Sequence, residues 1–60
     1  MEGLKWWGYL HTEGTIQVKR YFGPLDIKEA KESSFVARIC YPFVAYSREE
    51  AVERVKKALL

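Results

Sequence analysis

The residue types best suited to chemistry are rings and cations that alternate along the first third of the chain. Trp7, Tyr9 and Tyr21 are interleaved with Lys5, Lys19, Gln17 and His11. Rings stack on nucleobases at roughly 1–3 kcal/mol each, and lysines neutralise phosphates, so such a set on one open surface is a nucleic-acid platform. The same residue types also make protein-interface hot spots, a homodimer's included. A third arrangement packs the rings on each other and on lysine stems, with a Trp7–Lys19 cation–π contact.

Catalytic candidates are few. His11 and Cys40 are the one base and the one thiol that could form a nucleophile–base pair, which requires contact and an orienting third group. One His and one Cys cannot complete a tetrahedral zinc site. Gly23-Pro24 reads as a turn and Gly8 stands alone, so no phosphate-cradling loop is present. Glu29, Glu32, Glu49, Glu50 and Glu53 fall on helix caps and solvent faces, where acids serve structure. The expectation is a module that is not an enzyme, with no metal, no cofactor and no small-molecule substrate.

The totals bound the partners. Sixty residues make a single small domain, and a chain of this size buries only about 60% of its unfolded surface. The aromatic content of 15% compensates, because each ring buries roughly 150–250 Å². A net charge of +2 permits nucleic acid without demanding it. The lone Cys40 excludes an internal disulfide framework and points to the cytoplasm. No apolar run approaches the roughly 20 residues of a membrane span, and the first residues lack a signal peptide's apolar core. Asparagine is absent and charged residues make 30%, a bias of the kind found in thermophilic proteins.

The elements that must position the rings begin with a hairpin. Two runs rich in aromatic and β-branched residues, 4–11 and 15–22, flank Thr12-Glu13-Gly14. A three-residue loop pairs Leu10 with Ile16, Gly8 with Val18 and Trp6 with Arg20. It sorts Leu4, Trp6, Leu10, Ile16, Val18 and Phe22 onto one face. A slip of one residue on one strand destroys the sorting. Gly14 then supplies the left-handed residue of a bulged loop. Gly23-Pro24 ends the second strand, and Asp26 with Glu29 reads as a capping pair for a short helix over 27–33. Residues 35–46 form the third strand region, with Phe35, Ala37, Ile39, Tyr41, Phe43 and Ala45 as its expected core face. Pro42 belongs at an edge, at a bulge or at a break into two strands. Ser47-Arg48-Glu49-Glu50 is a capping box for a helix to the end of the chain, with Ala51, Val52, Val55, Ala58 and Leu59 as its apolar stripe.

The run Phe43-Val-Ala-Tyr-Ser-Arg-Glu-Glu-Ala-Val-Glu53 resembles the closing strand and helix of two families. These are the HicB-like antitoxins and the three-stranded DNA-binding domains at the N-termini of some phage integrases. The resemblance spans about residues 34–60, rests mostly on the capping box, and implies nucleic acid as a partner. The helix over 27–33 departs from both families, and the chain is assigned to neither.

Together these readings predict an α+β fold, ββαβα, with an antiparallel sheet in the order 2-1-3. The sheet has three strands, or four if Pro42 splits the third, and both helices cover the Trp6 face. The expected core is Trp6, Leu10, Ile16, Val18, Ile39, Phe43, Val52, Val55 and Leu59. The face left open carries Lys5, Trp7, Tyr9, Gln17, Lys19 and Tyr21, with Arg38 extending its basic edge. Nucleic acid is the favoured partner of that face, and a protein partner or homodimer the alternative.

Overall fold

A computed structural model of the chain describes residues 3–60. Its elements are β1 (Leu4–His11), β2 (Ile16–Arg20), α1 (Pro24–Glu32), β3 (Val36–Ala45) and α2 (Arg48–Leu59). The three strands form one antiparallel sheet in the order β2-β1-β3, as expected. The central strand β1 carries the run Leu-Lys-Trp-Trp-Gly-Tyr-Leu-His, the most aromatic in the chain. Both outer strands oppose β1 and so run parallel to each other. The chain must therefore cross the sheet between β2 and β3, and α1 makes that crossing.

The hairpin has the predicted register. Leu10 lies opposite Ile16, Gly8 opposite Val18, Trp7 opposite Lys19 and Trp6 opposite Arg20. The loop closes with the His11 N–H donating to Thr15 O at 2.8 Å and the Gly14 N–H donating to His11 O at 2.8 Å. Gly14 has φ 95°, the left-handed conformation that a side chain resists. Among the described residues no other lies in that left-handed region.

The two helices start with related chemistry. In α2 the Glu50 N–H donates to Ser47 Oγ at 3.1 Å, the predicted cap, and the Glu50 carboxylate reaches one residue past the cap to accept the Tyr46 N–H at 3.0 Å. In α1 the cap sits earlier than expected. Helix begins at Pro24, whose fixed φ suits the first turn, and extended Gly23 precedes it without a side-chain cap. Asp26 is inside the helix, and its carboxylate reaches back to accept the Phe22 N–H at 2.9 Å.

The placement of the helices departs from the expectation. They pack on opposite faces of the sheet. Through Ala51, Val55 and Leu59, α2 covers the face of Trp6, Val18 and Ala45. Through Ile27 and Ala30, α1 covers the face of Trp7 and Tyr9, with Val36 and Ile39 beside them. The physical reason lies in the rings themselves. Burying Trp7 and Tyr9 is worth about 4–6 kcal/mol each at the usual area coefficient, more than open stacking surface returns in water. Thin as its apolar stripe is, α1 is enough to cover them.

The strand β3 is also irregular. It pairs Phe43 with Trp6 and Cys40 with Gly8, so Tyr41 and Pro42 together oppose Trp7. A second shift leaves Ala37 unpaired between Arg38 and Val36. Pro42 thus sits in a bulge of one continuous edge strand, and does not split it. The bulges overturn the expected odd-numbered core face. Arg38 and Cys40 point to the α2 side before the bulge, and Phe43 and Ala45 do so after it. Ile39 joins the α1 side. Of the expected core, Trp6, Val18, Val55 and Leu59 are buried, while Leu10, Ile16, Ile39, Phe43 and Val52 are half-buried. Leu4 and Phe22 are exposed, and Ala58 is exposed on α2.

Candidate nucleic-acid interface

The face expected to be open is only partly so. Trp7 is 5% exposed and Tyr9 8%. Their rings lie 5.7 Å apart beneath α1, and neither can receive a base. The intramolecular arrangement applies to these two. Lys19 remains exposed with its ammonium 6.0 Å from the Tyr9 ring, so its cation–π partner is Tyr9 and not Trp7. Gln17 is exposed on the outer strand. Arg38 is exposed but belongs to the opposite face, where its guanidinium donates to Leu59 O at the end of α2 at 3.4 Å. It does not extend the basic edge of the Trp7 face.

The other arginines act in the same way. Arg48 donates to Val18 O on β2 at 3.3 Å. Arg20 lies over Trp6 and Phe22, and Arg54 over Phe43. Arginine here ties the α2 layer together by stacking and backbone contacts. The lysines Lys5, Lys19, Lys28 and Lys31 are exposed on β1, β2 and α1.

What remains open on the α1 face is a groove of about 390 Å³ between Tyr21, at the end of β2, and Tyr41, in the β3 bulge. Pro24, Ile27 and Pro42 supply apolar walls, and Lys28 and Lys31 form the helix-side rim. Tyr41 is 58% exposed, with the Lys31 ammonium 5.5 Å from its ring centroid. Strand alternation sets Lys5 on the same face, beside Tyr21, whose N–H donates to Lys5 O at 2.9 Å. Opposite Lys5 on β3 the exposed Val44 continues the row, and the exposed Tyr46 lies just past the strand. No carboxylate lines this groove. Of the expected binding residues, the structure therefore brings together Lys5 and Tyr21. It adds Lys28 and Lys31, which lie on the short helix, and Tyr41, which the sequence reading had placed on the core face of the third strand. The signal for Tyr41 was Pro42, since a bulge there turns the neighbouring side chain to the other face.

The catalytic candidates are not assembled. His11 stacks on Phe35 at 5.4 Å on the α1 face, while Cys40 faces α2. Burial raises the Cys40 thiol above its ordinary value, an effect that Arg54 partly offsets. His11 Nδ1 accepts the Glu13 N–H at 3.1 Å, a loop contact. Among the described residues no cluster of three or more His, Cys, Asp or Glu could hold a metal ion, and no helix is long and apolar enough to cross a membrane.

The molecule is thus a small α+β sheet protein with a helix on each face and a cationic, aromatic groove beside one of them. No family model, curated protein or solved structure matches the chain.

Proposed function

We propose that this chain is a small, non-enzymatic, cytoplasmic binding module whose ligand is nucleic acid, held in the groove between Tyr21 and Tyr41. The observation that supports it is the lining: the exposed Tyr41 ring, the half-buried Tyr21 ring, two rim lysines and no carboxylate, with Lys5 on the same face. Each ring offers roughly 1–3 kcal/mol of stacking, and three lysines meet phosphates. With so few cations the affinity is modest. On a single strand each phosphate contact contributes roughly 0.7 to the salt slope, so three lysines give a log–log slope of about −2. Both tryptophans are buried, so the reporter is the anisotropy of a labelled oligonucleotide and not intrinsic fluorescence. Binding at low salt that weakens with that slope, and falls at least tenfold in Lys28→Glu/Lys31→Glu, supports the proposal. Absence of binding at low salt refutes it.

One observation favours a second reading, a protein partner or a second copy. Phe35, Tyr41, Val44 and Tyr46 are all exposed on or beside β3, whose outer edge has no neighbouring strand. Unpaired edges with few charges invite strand addition. A melting temperature that rises with protein concentration supports self-association, and a monomer at every concentration tested removes it.

A further inference from the structure

We infer that the groove takes a single nucleic-acid strand with its bases splayed apart, and not a duplex. This rests on the proposed function and specifies its ligand. The rings set the first requirement. Tyr21 directly follows β2 and Tyr41 is on β3, with β1 between them, so their backbones stand at least two strand spacings apart, about 9–10 Å. Successive bases along one strand of a duplex rise only about 3.4 Å. A chain that puts a base on each ring must be unstacked between them, which a single strand tolerates and a paired one does not.

The second requirement is a base without a partner. The groove is a recess walled by α1 on one side and by the Tyr41–Pro42 bulge on the other. Only an unpaired base presents a free face to a ring in such a recess. The Tyr41 ring already holds the Lys31 ammonium on its face at 5.5 Å. An arriving base takes that place, and the ammonium moves to the adjoining phosphate.

The third observation concerns what a duplex would meet. The major groove, about 12 Å wide, admits a helix or a two-stranded ribbon that carries base-reading side chains. The tip of this protein's ribbon is Thr12-Glu13-Gly14, with an acid and no cation. The exposed surface of α2 carries Arg48, Arg54, Lys56 and Lys57 along with Glu49 and Glu53, across the sheet from the recess. The ribbon tip is not suited to enter a phosphate-walled groove. Lys28 and Lys31 line the recess itself.

The test compares a labelled ten-nucleotide single strand, as RNA and as DNA, with the duplex of the same sequence, at one low salt concentration. At least one single strand should bind tenfold or more tighter than the duplex. Tyr41→Ala should remove that preference and Tyr41→Trp should keep it, with circular dichroism confirming that both fold. RNA binding tighter than DNA, or the reverse, identifies the source of the strand and supports the inference either way. Duplex binding as tight as single-strand binding, or a preference that survives Tyr41→Ala, overturns the inference and leaves the proposed function standing. Binding of no form overturns both.

Discussion

Replacing Gly8 by alanine probes the contact on which the sheet and α2 depend. Gly8 is in the middle of β1 with a Val55 side chain pressed onto it. A Cβ built at Gly8 comes within 2.9 Å of both Val55 methyls and 2.6 Å of Gln17 O on the neighbouring strand. Val55 is 0% exposed and cannot turn away, and a backbone carbonyl in a paired strand cannot move cheaply. Alanine in a strand normally gains about 0.5–1 kcal/mol over glycine. Overpacking a filled site costs about 1–3 kcal/mol, and a clash with backbone belongs at the upper end. The net expectation is a loss of about 1–2 kcal/mol. Urea unfolding followed by tryptophan fluorescence measures it, since Trp6 and Trp7 are both buried. The slope with denaturant should be unchanged while the midpoint falls. A midpoint equal to or above that of the parent protein would refute the close approach of α2 to β1.

Three further predictions follow from particular residues. Gly14→Ala, with nothing within 4 Å of its Cβ but φ at +95°, should cost about 1–2 kcal/mol through backbone strain alone, read in the same urea experiment. Trp7→Ala should cost about 3–5 kcal/mol as a large core deletion, whereas Tyr41→Ala should change stability by less than about 0.5 kcal/mol, a contrast that thermal melts can check. Cys40 keeps its proton longer in the folded chain than in the unfolded one. Its contribution to stability is therefore present below the ordinary thiol value and is lost as pH rises toward the raised folded value. Alkylation by iodoacetamide near pH 8.5 should be slower in the native protein than in the urea-unfolded chain, and equal rates would contradict the burial of the thiol.

The local elements were legible because their signals are local. The hairpin register follows from face sorting and from Gly14, and the α2 start from the Ser47–Glu50 box, each within a few residues. The site was less so, for two physical reasons. Alternation showed that Trp7 and Tyr9 share a face, but whether a helix lies on that face depends on where α1 crosses, a tertiary choice. The weak stripe of Ile27 and Ala30 gave little sign that α1 would cover two large rings. The bulge at Tyr41 and Pro42 then reversed the facing of β3, so that a ring assigned to the core became an exposed wall of the groove. Pro42 had marked the place without giving the direction of the turn.

The most direct test of the account is amide NMR of the labelled protein, titrated with a short single-stranded oligonucleotide at low salt. The account predicts progressive shifts at Lys5, Tyr21, Lys28, Lys31 and Tyr41, while Glu49, Glu53 and Lys57 on α2 stay fixed. Shifts concentrated on α2, or a spectrum unmoved at every oligonucleotide concentration, would contradict it.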